Sequence, residues 1–185
     1  YKTADADELA TAPLLFEKKV VMENTNTTTV FLDLLNDQDY TILFWANKTG
    51  VDYFDLADLR KVTVKQAASN NNDRDAFCGM DQLVNFDAAT GKTVTLTRPF
   101  AQLNFGASKM TSLFGDIVVN GSKITVEGLA PTFSTRDGIG TGMPQTVTFV
   151  ADGKVQTSEL LATNHTTYTW IAMDYMLMTD DQCNV

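Results

Sequence analysis

Apolar and polar positions alternate with a period of two over short runs of this chain, and the alternation changes phase at one informative place. In Val94 to Gly106, VTLTRPFAQLNFG, the apolar positions are Val94 and Leu96, then Ala101, Leu103 and Phe105. Successive strand side chains point to opposite faces, so the shift from even to odd numbering across Arg98-Pro99-Phe100 predicts a kink, a bulge or a change of sheet. Pro99 suits that position, because proline cannot donate to a ladder and is confined to edges, strand starts and bulges. A strand that leaves one sheet and enters another at a corner is a device of two-sheet sandwiches.

The same pattern marks further strands. Leu14 to Met22, LLFEKKVVM, and Thr28 to Leu35, TTVFLDLL, are joined by a polar turn segment and predict a hairpin. Tyr40 to Ala46, YTILFWA, is apolar on both faces, as is Tyr168 to Met178, YTWIAMDYMLM, which predicts strands covered on both sides. Asn47 to Gly50 is a turn, VDYFDLADL holds one helical turn, and Arg60 to Lys65 resumes a strand. Ser69 to Asp75 is a polar loop and Ser108 to Phe114 a short helix. Asp116 to Asn120 and Lys123 to Val126 flank an Asn120-Gly121 hairpin turn, and Gln145 to Val150 and Lys154 to Thr157 flank Asp152-Gly153. Many short strands with turns between them, and no long helical periodicity, indicate an all-β antiparallel sandwich or barrel.

Composition narrows the function classes. At 185 residues, 44% hydrophobic and 20% charged, the chain is a folded globule of one large or two small domains. It is acidic, with 14 Lys+Arg against 23 Asp+Glu for a net charge of -9, and its basic residues cluster no further than Lys18-Lys19 and Arg60-Lys61. Phosphate neutralisation needs a basic face, so a nucleic-acid partner is not expected. No run has the roughly 20 apolar residues of a membrane-spanning helix, and no signal peptide stands at the start. Cys78 and Cys183 make either one long-loop bridge or two separate thiols.

Candidate chemistry is sparse. Asp52, Asp55 and Asp58 recur every three residues, and Asn71, Asp73 and Asp75 make the nearest approach to a calcium loop. That loop has Ala76 where glycine is required and Gln82 where a bidentate Glu is required, so no metal is assigned. His165 is the sole histidine, with no second to share a transition metal, and no serine lies in a nucleophile elbow. Paired carboxylates assembled in three dimensions stay open as a hydrolase reading. GIGTG, Gly138 to Gly142, lacks the lysine and following helix of a phosphate-binding loop and is expected to be a flexible turn. Met173, Met176 and Met178 fit core packing, and the sequons at Asn26, Asn47, Asn120 and Asn164 indicate surface loops. The chain is therefore not expected to be an enzyme, and no catalytic residue, cofactor or metal is assigned.

YTILFWA, YFDLADLRKVTV, NNNDRDAFCG, VTLTRPFAQLNFG, SKITVEGL and YTWIAMDYMLM, in that order, resemble the amino-terminal domain of the Bacteroidetes fimbrillin family, the FimA/Mfa-like subunits of type V pili. The resemblance runs from about Leu14 to Met178. It implies a transthyretin-like, Greek-key β-sandwich with one or two short helical turns, a single domain over residues 1–185 that is incomplete at its start, and no enzymatic activity or cofactor. It also implies a lipoprotein secreted to the outer membrane or fimbria at the cell surface, held to the membrane only through a lipid anchor on an amino terminus absent here. Its partners would be neighbouring pilus subunits, joined by donor-strand exchange, and a host or bacterial surface receptor. Removal of an amino-terminal strand by an arginine-specific protease would leave an open groove beside the Leu14 to Met22 or Tyr168 to Met178 strand.

Two functional classes follow. One is a structural or accessory adhesive subunit of a cell-surface fimbria, assembled by strand addition. The other is a carbohydrate-binding surface module on a similar sandwich, for which Tyr53 and Phe54 are the expected exposed aromatic pair. Arg98 and Pro99 are expected to form a structural corner, with the Arg98 guanidinium satisfying kinked carbonyls or pairing with the acidic loop Asp73 to Asp75.

Overall fold

The computed structural model of the protein describes residues 1–22, 26–65, 71–87, 91–107, 120–152, 161–163 and 166–179. The run YTILFWAN is rich in β-branched and aromatic side chains, which suit a pleated surface, and forms strand β1, Tyr40–Asn47. Before it, a helix of one turn, α1 (Ala6–Leu9), is capped by the Asp5 carboxylate, which accepts from the Asp7 and Glu8 amides. The expected helical turn in the fifties is smaller than predicted. Phe54–Asp55 is strand β2, a 3-10 turn covers Leu59–Lys61, and Val62–Val64 is β3. A second 3-10 turn, Asn72–Arg74, leads into β4, Ala76–Leu83, which pairs antiparallel with all of β1.

The remaining strands are β5 (Ala101–Ala107), β6 (Gly121–Leu129), β7 (Thr132–Ser134), β8 (Ile139–Thr141), β9 (Gln145–Asp152), β10 (Leu161–Thr163) and β11 (Thr166–Met176). They assemble as β2-β3-β7-β8, β10-β11-β5 and β6-β9, every ladder between them antiparallel. The fold is an all-β sandwich.

The chain changes sheets where the phase shift falls. Thr97 bridges Cys78 of β4 through two backbone hydrogen bonds of 2.8 and 2.9 Å, whereas Ala101 is already opposite Met176 of β11. Residues 98–100 carry the chain between those two sheets. Val94 and Leu96 are half-buried against β4, where a Cβ on Gly79 would lie 2.8 Å from the Leu96 side chain. A glycine is therefore what lets the segment before the corner lie against β4.

β11 is a wall between two apolar clusters. Met173 and Tyr175, with Leu177 just past the end of the strand, enter a cluster with Phe54, Val62, Val64, Phe100 and Phe133, while Met176 enters a second with Val126, Leu129 and Phe149. Odd and even positions thus serve opposite faces, as a period of two demands. Trp170 is even yet packs on the first cluster, because a bulge between Trp170 and Ala172 shifts the phase by one. In β6, Val126 and Leu129 face one cluster despite opposite parity, across a second bulge that contains Gly128 at φ 83.

Several expectations give way. Neither Leu14 to Met22 nor Thr28 to Leu35 forms a strand, so the predicted hairpin has no ladder among the described residues. Gly121 is the first residue of β6, opposite Asp152, so Asn120-Gly121 does not centre a tight hairpin. Gly138 to Gly142 is not a free loop. Residues 139–141 are β8, and Gly140 bridges Thr179, where a Cβ would lie 2.0 Å from the Met178 carbonyl oxygen. Ser108 to Phe114, Asp116 to Val119 and Lys154 to Thr157 lie outside the described residues, as do His165 and Cys183. Cys78 is a buried free thiol whose ionisation burial pushes upward.

Trp45 of β1 ties these layers together. Its ring meets Phe54 of β2 at 5.2 Å, Phe133 of β7 at 5.9 Å and Phe100 of the corner at 6.3 Å between centroids. Tilted and edge-on aromatic pairs of this kind contribute about 0.5 to 1.5 kcal/mol each beyond area burial. Trp45→Ala should therefore lose about 3 to 5 kcal/mol by chemical denaturation. A loss below about 1 kcal/mol would show that the cluster does not hold the layers.

Candidate functional site

Leu14 to Met22 and Asn26 to Leu35 are two largely exposed legs of an arm whose two roots are firmly held. At the first root Leu9 is fully buried, and the Arg60 guanidinium donates to the carbonyls of Leu9 at 2.9 Å and Ala12 at 2.8 Å. The Leu9 carbonyl is one that the end of α1 leaves without an intrahelical partner, and Ala12 lies just past the cap. Arg60 also forks onto Asp58, with Nη2 2.8 Å from Oδ2, and stacks 4.7 Å from the Tyr1 ring centroid. The Tyr1 hydroxyl donates to Asp58 Oδ1 at 3.2 Å. The Arg60 hydrogen bond, foremost among several causes, holds the Asp58 carboxyl below its ordinary value.

At the second root the Tyr40 hydroxyl accepts from the Leu35 amide at 3.1 Å and donates to the Leu35 carbonyl at 3.3 Å. The Asp37 amide donates to Phe86 O and the Phe86 amide to Gln38 O, each at 2.9 Å. Asp37 and Asn85 both sit at positive φ, a conformation that Asp and Asn tolerate better than most residues. An open cleft of about 440 Å³ separates the roots, lined by Asp5, Glu8, Asp37 and Asp39 with Lys2.

Between the roots the arm is apolar and exposed. Leu14, Leu15, Phe16, Val20, Val21, Met22, Val30, Phe31 and Leu35 all present their side chains to solvent, Phe31 at 80% and Val21 at 70%. Lys18 Nζ donates to the Phe31 carbonyl at 2.7 Å and ties one leg to the other. Contiguous exposed apolar surface of this kind marks interaction sites. A β-prone segment without ladder partners supplies main-chain donors and acceptors besides side chains at alternate positions.

The residues singled out from sequence lie elsewhere and act structurally. Arg98 makes a two-pronged pair with Asp75, Nε to Oδ1 at 2.6 Å and Nη2 to Oδ2 at 2.7 Å, and its guanidinium lies 5.1 Å from the Phe77 ring. Pro99 is half-buried at the sheet change. Tyr53 and Phe54 are not an exposed platform. Phe54 is buried in the first cluster and Tyr53 packs against it, because β2 turns Phe54 inward toward Trp45.

The repeated carboxylates are each engaged. Asp52 pairs with Lys65, Asp58 with Arg60 and Asp73 with Lys48, while Asp55 and Asn71 accept from nearby amides. Among the described residues no group of three metal-binding side chains converges. Asn26 and Asn120 are exposed and Asn47 is half-buried, while Asn164 lies outside the described residues. Met173 and Met176 are buried.

Arg74 is a residue that sequence reasoning places in a polar loop. It is instead fully buried, 3.5 Å from the buried Asp174 of β11, with its guanidinium 5.4 Å from the Phe149 ring and 5.8 Å from the Tyr53 ring. Burial pulls its ionisation below the ordinary value, and the Asp174 carboxylate opposes that shift. The signal in the sequence was the single Asp inside YTWIAMDYMLM, since a charge on a buried strand requires a partner.

Magnitudes separate the two arginines. Removing one partner of a buried pair costs about 3 to 5 kcal/mol, whereas the Arg98 side chain is 44% exposed and exposed pairs are worth about 1 kcal/mol or less. Arg74→Ala should thus lower the melting temperature by roughly 10 °C and Arg98→Ala by a few degrees, at about 2 to 4 °C per kcal/mol for a chain of this size. Equal shifts would overturn this ranking. Asp58 supplies a pH signature. Its folded value lies below the ordinary 3.8, so its contribution is complete above that pH and is lost as pH falls through the folded value. Asp58→Asn should melt lower than wild type at neutral pH, and the gap should narrow as the pH falls below 3.8.

No curated protein and no solved structure matches this chain. The family model described as a family of unknown function, DUF6562, matches residues 1–185, and the chain belongs to that family.

Proposed function

We propose that this protein is a structural or accessory subunit of a cell-surface fimbria involved in adhesion, assembled by strand addition between subunits. The observation that carries the reading is the arm, where exposed apolar side chains sit on a β-prone segment with no ladder among the described residues. Such a segment gains hydrogen bonds and buried surface only when another strand is supplied. The resemblance of YTILFWA, VTLTRPFAQLNFG and YTWIAMDYMLM to the fimbrillins adds the fimbria, the outer-membrane lipid anchor and the cell-surface location. The acidic body supports a partner other than nucleic acid. Main-chain and apolar contacts of this kind call for no catalytic group or cofactor, and the receptor would be met through the assembled subunit.

Immunogold electron microscopy of producing cells tests the proposal, with antibody raised against this chain. Label along surface filaments, and its recovery in the sheared filament fraction, is the expected result. Label confined to the cell interior, or surface label without filaments, would overturn it.

A further inference from the structure

Leu14 to Met22 reads L-L-F-E-K-K-V-V-M, three apolar residues, three charged and three apolar, with Lys18 at the centre. We propose that this segment pairs antiparallel with the same segment of a second copy, about a two-fold axis through Lys18. The inference rests on reading the arm as a strand donor, and it names the partner.

The register follows from the sequence. Antiparallel pairing about Lys18 sets Leu14 opposite Met22 of the other copy, Leu15 opposite Val21 and Phe16 opposite Val20, so apolar meets apolar throughout. Glu17 falls opposite Lys19, and by symmetry Lys19 opposite Glu17. Directly opposed residues share a face in an antiparallel pair, where opposite charges stabilise and like charges oppose. A slip by one residue would keep Glu17 opposite a lysine, Lys18, but set Lys19 opposite Phe16, and the reverse slip would set Glu17 opposite Val20 and Lys18 opposite Lys19.

The structure removes the one apparent conflict, the meeting of the two Lys18 residues on the axis. Lys18 Nζ is already committed to the Phe31 carbonyl of its own chain, which draws the ammonium toward the second leg. Glu17 and Lys19 lie on one face, 3.2 Å apart, with side chains 58% and 90% exposed, so both are free to be shared with a facing copy. The apolar residues of the segment are 40% to 70% exposed, and none belongs to either core cluster.

Charge also favours a second copy at this place. The chain carries a net charge of -9, which opposes association through most of its surface. The segment itself holds two lysines and one glutamate, so two copies meet there with less repulsion than the acidic body as a whole would impose. A two-fold contact uses the same patch on both partners and closes at two. It therefore makes a pair of subunits, and any longer assembly requires a different surface.

Sedimentation equilibrium of the wild-type chain over a wide concentration range tests this, together with Glu17→Lys, Lys19→Glu and the double variant carrying both changes. The wild type should fit a monomer–dimer equilibrium. Glu17→Lys should weaken the dimer by about tenfold, although it makes the chain less acidic and general repulsion alone would tighten it. Lys19→Glu should weaken it similarly, and the double variant should restore it. Both positions are exposed, so the melting temperature of dilute protein should stay at the wild-type value and separate a lost contact from a lost fold. A wild type monomeric throughout, open-ended oligomers, or a double variant no better than the singles would each overturn the pairing. A monomeric chain that still labels surface filaments would overturn the pairing alone and leave the fimbrial reading standing.

Discussion

The contact of Trp45 with three phenylalanines is the constraint on which the other placements depend. β1 supplies the indole, and β2, β7 and the corner between sheets each supply one ring. Phe100 can reach that cluster only if the chain turns sharply after Thr97, so the sheet change and the aromatic cluster require each other. The Arg98–Asp75 fork closes the outside of the same turn, where solvent limits its worth. Arg74 and Asp174 hold β11 to the 3-10 turn before β4 from the inside, where solvent is absent.

What was legible in the sequence was whatever a period of two can express over five or more residues. YTILFWA and YTWIAMDYMLM announced strands with both faces covered, and β11 does serve two clusters. Val94 to Gly106 marked the change of sheet, although Ala101 and Phe105, expected to face inward with Leu103, are exposed. β4 was missed because AFCGMDQL contains alanine, glycine and aspartate, all depleted in strands. Gly79 is there for the close approach of Leu96, a tertiary reason that no local pattern carries. β8 was missed for the same reason, since Gly140 answers to the Met178 carbonyl.

The candidate site was legible as strand-like residues and misread as a finished hairpin. LLFEKKVVM and TTVFLDLL have strand composition, and composition does not say whether a partner strand is present. A two-stranded hairpin alone is marginal in water, so these legs need more surface than they offer each other. The roots carry no signal in the hydrophobic pattern because both are made by side chains on backbone groups, Arg60 on carbonyls some fifty residues away and Tyr40 on Leu35. Arg60, read as part of a small basic cluster, is instead a surrogate cap for α1 and the clamp of the first root.

Holding both roots gives the arm the topology of a loop rather than of a tail. A free tail can thread lengthwise into a slot between two strands and must be drawn out the same way. A loop of 23 residues whose ends, Ala12 and Asn36, are both fixed on the body can approach an edge only sideways. Lateral docking needs no threading, so it can begin at any point along the segment and reverse from either end. Much of the loop-closure entropy has also been met within the subunit before any encounter. Contacts made through the arm are thereby suited to forming and releasing as a unit, with the body of the protein unchanged on either side.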